Sequence, residues 1–306
     1  MLWALSWWIV KAVVTVAALV QSVCFVVALY EMLNLPESLD ARLTPAGLLA
    51  AARDVAVEIA AMSAALLSVP FGVLSWRRVS AVLTHDRPPI VFVPGYATTR
   101  TCLWLLRRRL ARAGWTQASG YNYRTVFGDV AAAARGLDTF LDETRAAAGD
   151  RDVVLVAHGI GGIVARLCAR ERGGRGVRAL VTLGTPHQGS KLYALALDPM
   201  LNGLRPGSAL LEGLAADDPL LGQTDVTAVA SSFDLTIVPS AAARYPGAST
   251  IEIEGVGHFG LLWSARVFEV VRENLDFAHR GGAKSAAPAQ PPASASMQRA
   301  TSSAFE

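Results

Sequence analysis

Cysteine and charged residues are both scarce in this chain. Of its 306 residues, 3 are cysteines and 17% are charged, and the net charge is only +3. The cysteines, Cys24, Cys102 and Cys168, are too few and too far apart for a disulfide framework or for the spacing of a metal site. The small net charge, without a cluster of basic and aromatic residues, argues against a nucleic-acid partner. We therefore expect no metal, no organic cofactor and no nucleic acid.

Apolar residues are abundant instead, at 52% of the chain, and the excess lies in the first 76 residues. No charge occurs between Ala12 and Tyr30, and a second apolar run from Val55 to Trp76 is interrupted by Glu58 and Pro70. A helix that crosses a bilayer needs about 20 apolar residues. Residues 1–78 are therefore predicted to embed in a membrane, with helices at about 2–30 and 55–76 that form a transmembrane hairpin.

Each apolar run has an alternative interpretation. A cleaved signal peptide would have an apolar stretch of about 7–15 residues followed by a cleavage site of small residues. The first run is longer and no such site follows it, so an uncleaved anchor is favoured. The second run has as its alternative an amphipathic helix that lies on the membrane or on the rest of the protein.

After Pro89 the pattern changes to apolar strand-like runs that alternate with helical stretches, which is typical of a parallel sheet. In the stretch V-V-L-V-A-H-G-I-G-G-I-V-A-R, residues 153–166, a strand leads into a glycine-rich turn and a helix. A phosphate-binding loop would need a following Lys-Ser or Lys-Thr pair, which is absent. Downstream, Asp234 follows a strand in S-S-F-D-L-T-I-V-P, and His258 precedes the last helix in G-V-G-H-F-G-L-L.

This order resembles the nucleophile, acid and histidine order of α/β-hydrolases. Residues 153–166 are similar to the G-x-S-x-G nucleophile elbow, with Gly159 at the serine position. The stretches L-V-T-L-G-T-P-H-Q-G-S, residues 180–190, and I-V-F-V-P-G-Y-A-T-T, residues 90–99, resemble the same group. The resemblance is to the bacterial triacylglycerol lipase and esterase family, and it covers about residues 87–277.

The resemblance implies an α/β-hydrolase fold, with a mostly parallel central sheet flanked by helices, over residues 87–278. It also implies a cap-like insertion at about 191–223 and a lipid or acyl-ester ligand. The tail at 281–306, rich in Ala, Ser and Pro, is predicted to be disordered. Basic residues at positions 11, 77, 78 and 87 favour a cytoplasmic hydrolase domain at the bacterial inner membrane. No protein partner is indicated.

By the same resemblance, Gly159 holds the nucleophile position, Asp234 is the acid and His258 the base. The backbone N–H groups of Tyr96 and Ile160 would form the oxyanion hole. Glycine cannot form an acyl-enzyme, so ordinary serine catalysis is predicted to be lost. Three interpretations stay open: a non-catalytic scaffold that binds a lipid or a partner, an active lipase or esterase whose native form has serine at 159, and hydrolysis by a water that the histidine and the acid activate.

Overall fold

The computed structural model describes residues 2–33, 45–74, 87–216 and 218–281. Two long helices come first, followed by an α/β domain. The helices are α1 (Leu2–Leu33), α2 (Pro45–Leu74), α3 (Trp104–Arg112), α4 (Val130–Ala147), α5 (Ile160–Glu171), α6 (Pro199–Asn202), α7 (Ala209–Ala215) and α8 (Ala265–His279). The strands are β1 (Ile90–Val93), β2 (Ala118–Gly120), β3 (Val153–His158), β4 (Val177–Leu183), β5 (Asp225–Ser231) and β6 (Ser249–Ile253). The tail predicted to be disordered lies, beyond Gly281, outside the described residues.

The six strands form one sheet in the order β2-β1-β3-β4-β5-β6, and every neighbouring pair is parallel. The predicted parallel sheet flanked by helices is thus confirmed. The chain runs from β1 to β2 on one side and then returns to place β3 on the other side of β1. Ligands of open parallel sheets bind at the carboxyl edge beside such a reversal. The turns that follow β1 and β3 meet at this edge.

The sheet has a core on each face because successive strand residues point to opposite sides. Leu155 and Ala157 of β3 pack with α4 and α5, whereas Val154 and Val156 pack with α3 and α8. The strand is buried along its whole length, since helices cover both faces.

The hairpin of α1 and α2 belongs to the second of these cores. Ala17, Ala61, Met62 and Ala65 are buried in the same cluster as Phe92 and residues of α8. By length and hydropathy, Ser6–Glu31 and Leu49–Leu74 are each able to cross a membrane.

The second helix begins at Pro45 rather than near residue 55, where the sequence predicted its start. Apolarity marked only the part after Asp54, but the preceding Leu- and Ala-rich stretch forms helix readily. Proline at the start of a helix removes no hydrogen bond, since the first N–H groups have no partner within the helix. Pro70 lies inside α2 and does not end it.

The region predicted as a cap, at 191–223, contains α6, α7 and a short 3-10 turn (Lys191–Leu195). Arg166 of α5, whose side chain is fully buried, connects this region to the rest of the domain. The Arg166 guanidinium donates to Asp218 Oδ2 at 3.0 Å and to the Leu214 carbonyl at 2.8 Å, and it lies 4.1 Å over the Tyr245 ring. Tyr245 also donates to Asp218, at 2.5 Å.

Replacing Arg166 by methionine should destabilise the protein by about 3–5 kcal/mol, because the buried Asp218 carboxylate would lose its charged partner. Urea unfolding of the detergent-solubilised protein measures the change. Arg170→Met on the same helix is the matched control, since its bond to the Ala216 carbonyl lies at the surface, and it should cost less than about 1 kcal/mol. Equal losses in the two variants would show that the buried pair is not important.

Candidate active site

Gly159 forms the sharp turn between β3 and α5, with φ +54° and ψ −130°. Glycine adopts a positive φ at low cost, whereas a residue with a Cβ is strained there. The Gly159 N–H donates to the Leu183 carbonyl at 2.9 Å, and its carbonyl accepts from Gly162 N at 3.0 Å. These bonds fix position 159 at the carboxyl edge of the sheet.

The start of α5 lies directly against the loop after β1. A Cβ at Gly161 would collide with the Pro94 carbonyl, and a Cβ at Gly159 would lie 3.7 Å from Gly95 Cα. Ile160 is the first residue of α5, so its N–H has no acceptor within the helix. The two segments that carry the predicted oxyanion donors, at Tyr96 and Ile160, therefore meet at position 159.

The side chain of Tyr96 joins this loop to the predicted cap. Its hydroxyl donates to Asp198 Oδ2 at 2.9 Å, while Asp198 also accepts from the N–H groups of Phe127 and Met200. Burial disfavours the Asp198 carboxylate, but these hydrogen bonds outweigh burial and lower its pKa. Sequence reasoning missed Asp198, because its partners come from three separate segments.

Asp234 and His258 form a buried pair beside the same turn. His258 Nδ1 lies 2.7 Å from Asp234 Oδ2, and the side-chain exposures are 9% and 0%. The other oxygen, Asp234 Oδ1, accepts from the backbone and hydroxyl of Thr236 and from Ile237 N. A Cβ at Gly159 would lie 3.2 Å from His258 Nε2. The structure thus brings together the three positions that the sequence assigned to the catalytic site.

The ionisation of the pair follows from burial and mutual attraction. Burial opposes the imidazolium form of His258, but the Asp234 carboxylate outweighs burial, and the pKa of His258 is raised. Burial likewise opposes the charged Asp234, and the charge of His258 and its hydrogen bond keep the pKa of Asp234 below its ordinary value. Because the pKa of His258 is raised and that of Asp234 is lowered, the two side chains form an ion pair at mildly acidic pH.

Two further buried histidines, His158 and His187, are uncharged. His158 Nε2 lies 3.2 Å from the His258 carbonyl, and burial, helped by the His258 charge, lowers the pKa of His158 to about 3. His187 Nε2 lies 2.9 Å from Thr182 Oγ1, and burial lowers the pKa of His187. The part of the chain that the structure describes contains no group of three or more His, Cys, Asp or Glu side chains that could hold a metal ion.

Glu58 of α2 holds the loop that carries the histidine. Its side chain is 1% exposed, Oε1 accepts from Phe259 N at 2.5 Å, and Oε2 accepts from Gly260 N at 2.9 Å. Gly257 gives the carboxylate space, because a Cβ there would collide with it. In the sequence, Glu58 was only an unfavourable charge in an apolar helix. A lone acidic residue in such a run is itself a signal of a functional site, and it could have identified Glu58.

Several known proteins are similar to this chain. The family model of the PGAP1-like alpha/beta domain matches residues 132–200, which include the turn at Gly159. The mature lipase BlEst2 of Bacillus licheniformis is 20% identical with a TM-score of 0.55, over 64% of this chain and 95% of that one. Lipase B of Aspergillus fumigatus is 15% identical with a TM-score of 0.56, over 65% of this chain and 55% of that one.

This chain has the α/β-hydrolase fold. In this fold the nucleophile stands on a strained strand-to-helix turn, and the acid and the histidine follow it along the chain. Along the chain, Gly159 lies on the strand-to-helix turn, Asp234 follows β5 and His258 precedes α8. The fold also accounts for the meeting of the β1 loop with the start of α5.

The pKa of His258 should lie above the ordinary imidazole value of about 6.5. Asp234, and to a lesser extent Glu58, favour its charged form, while the adjacent His158 stays neutral. A raised pKa in the folded state means that the stabilising contribution is complete below about pH 6.5 and is lost as pH rises through the folded value. In Asp234→Asn only burial and weaker charges remain, so the pKa of His258 should fall. NMR titration of the imidazole protons measures both values, and an unchanged pKa in the variant would contradict the pairing.

Replacing Glu58 by alanine should destabilise the protein by roughly 2–4 kcal/mol, because two buried N–H groups lose their acceptor. Glu58→Gln retains one acceptor oxygen and should cost less. Chemical unfolding in detergent provides the free energies. Asp54→Ala removes a half-buried carboxylate from the same helix and should change stability by no more than about 0.5 kcal/mol. Equal effects at positions 54 and 58 would refute the special role of Glu58.

Proposed function

We propose that this protein is a membrane-associated α/β-hydrolase of the lipase and esterase type that binds a lipid or acyl-ester ligand without ordinary serine turnover. The observation that carries the proposal is the position of Gly159. A side chain there would face His258 Nε2, whose ring is already paired with Asp234. The site is that of a catalytic triad in which one side chain is missing.

The missing side chain removes one chemical step. In a serine hydrolase the hydroxyl attacks the ester carbonyl, the histidine takes the hydroxyl proton, and the acid orients the imidazole. Two backbone N–H groups then hold the negative oxygen. Here Tyr96 and Ile160 would provide those groups, and His258 and Asp234 the base and the acid, but no acyl-enzyme can form at Gly159. Loss of a triad nucleophile costs on the order of 10⁶ in kcat.

The similar proteins support the choice of ligand. Two of them are named as lipases, and the PGAP1-like domain model covers the turn that would carry the nucleophile. Carboxylic esters with an apolar acyl chain are therefore the proposed ligand class. We place the protein at the bacterial inner membrane, with the α/β domain on the cytoplasmic side, because the anionic lipids of the cytoplasmic leaflet attract the basic residues that flank the apolar helices.

One alternative has a specific observation in its favour. The Cβ of a serine at 159 would lie 3.2 Å from His258 Nε2, so a shift of a few tenths of an ångström would accommodate it. A native form of the protein with serine at 159 would then be an active esterase. The water mechanism needs a solvent molecule held where a bonded nucleophile would be fixed, and it is the weaker candidate.

Gly159→Ser is the experiment that tests the proposal. With short p-nitrophenyl esters, the protein as it stands should hydrolyse no faster than its own His258→Ala variant, and Gly159→Ser should become an esterase. Gly159→Ala is the matched control, since it adds the Cβ without the hydroxyl. Both variants should be about 1–2 kcal/mol less stable than the glycine form because of the positive φ.

The outcomes separate the interpretations. Turnover by the glycine form near the rate of the serine variant would refute the non-catalytic proposal. If that turnover also disappeared in His258→Ala, an activated water would be the nucleophile. A folded but inactive Gly159→Ser would show that more than the nucleophile has been lost. Isothermal titration of the glycine form with a non-hydrolysable acyl phosphonate ester would then test ligand binding by itself.

A further inference from the structure

The hairpin of α1 and α2 contacts the α/β domain at both of its ends. At the end where α1 leads into the connecting segment 34–44, Glu31 pairs with Lys191 of the domain, with Nζ and Oε2 at 2.6 Å. At the other end, the Gly72 carbonyl of α2 accepts from Asn122 Nδ2 at 3.0 Å. Glu31, which lies near the end of α1 that leads into this segment, is therefore held against the domain.

Between its ends the hairpin stays in contact with the domain. Glu58 accepts from the histidine loop, and the Ser68 carbonyl accepts from Thr101 Oγ1 at 2.8 Å. From Glu58 to Gly72 the helix rises about 21 Å, at about 1.5 Å a residue. One face of the hairpin is thus covered by the domain over most of the thickness of a bilayer core, which is about 30 Å.

The surface of the hairpin away from the domain is apolar and uncovered, and from Ser6 to Lys11 the first helix is exposed on every side. Of the large apolar side chains that are exposed in the described part of the chain, all but four lie on α1 or α2. The most exposed on these helices include Trp8, Leu19, Val26, Phe71 and Leu74. A continuous apolar surface of this size marks a place where lipid or another protein binds.

These contacts are incompatible with a hairpin that crosses the bilayer. A spanning hairpin places its connection across about 30 Å of hydrocarbon from the domain, but Glu31 at that connection pairs with Lys191. If the domain stayed alongside, charged Lys191 and polar Asn122 would have to enter the hydrocarbon, which strongly disfavours such groups. The helices can keep both their length and their contacts only by lying along the membrane.

We infer that α1 and α2 lie in the plane of one leaflet, with the uncovered apolar face in the lipid and the α/β domain on the face that would otherwise meet water. This attachment holds whether or not the site turns over an ester. It differs from the transmembrane hairpin that the sequence predicts. An isolated helix in the interface has a polar face of its own, whereas here the α/β domain packed against α2 provides the polar side of the assembly.

The composition of the uncovered face favours lipid over a second copy of the chain. Between Lys11 and Glu31 the first helix carries no charge, whereas stable protein interfaces have a polar rim. The Lys11 ammonium lies 5.1 Å from the rings of both Trp7 and Trp8. Tryptophan and lysine together are typical of the boundary between lipid headgroups and hydrocarbon.

Labelling of single cysteines tests the sidedness. Asp40→Cys lies in the connecting segment and Arg135→Cys on the exposed face of α4, and the three native cysteines are buried. The full chain in detergent is diluted onto preformed sealed vesicles of phosphatidylcholine and phosphatidylglycerol, so that the α/β domain stays outside, and is treated with a membrane-impermeant maleimide. We expect both sites to react fully from outside, with no further reaction after detergent. Reaction of one site from outside and of the other only after detergent would establish a spanning hairpin and overturn the inference.

Flotation with the same vesicles tests whether the uncovered apolar surface of the hairpin binds lipid. Leu19→Lys places a charge on the uncovered face and should reduce the vesicle-bound fraction about tenfold or more. Thr139→Lys on α4 is the matched control and should float as the unsubstituted protein does. Thermal unfolding shows whether each variant is folded. Two results would overturn the lipid assignment. In the first, folded Leu19→Lys floats as the unsubstituted protein does. In the second, the protein forms a stable dimer in detergent, and Leu19→Lys abolishes the dimer but not lipid binding. Esterase assays of Gly159→Ser with soluble esters report on the site independently.

Discussion

The bond between the Glu58 carboxylate and the loop after His258 joins the two halves of this molecule. A carboxylate with almost no solvent exposure is tolerated only when donors satisfy it, and Phe259 N and Gly260 N do so. The histidine loop in turn is fixed by a helix that lies outside the α/β domain. Because of this bond, the apolar hairpin is a structural part of the site, and removal of the hairpin would leave two buried N–H groups without acceptors.

The contacts around the turn at Gly159 do not depend on a side chain at that position. The Asp234 and His258 pair, the close approach of α5 to the β1 loop, and the Asp198 bonds to that loop all depend on separate contacts. None of these contacts requires a hydroxyl at 159. Glycine also relieves the strain of a positive φ at the turn. A glycine at 159 is therefore compatible with the fold of the domain and with the contacts around the turn.

Much of the α/β domain could be predicted from the sequence, since strands such as Val177–Leu183 and helices such as Val130–Ala147 show their periodicity locally. The weak strand Ala118–Gly120 was missed, because it is short and has little apolar character, and its position depends on pairing with β1. The start of α2 was placed too late, since apolarity was the criterion and the first turns are not strongly apolar. The order of Gly159, Asp234 and His258 along the chain could be taken from the sequence, but the distances between them could not.

By itself, the sequence determined the alternation of strands and helices, the length of two apolar segments, and the glycine-rich turn at 159. These properties depend on residues close together along the chain, because the spacing of apolar residues and the residue types in turns determine local structure. Only the tertiary structure decided that Glu58 reaches the histidine loop and that Glu31 reaches Lys191, contacts between residues separated by more than half of the chain. Such contacts depend on how whole elements pack, and packing is a property of the assembled core rather than of any local pattern.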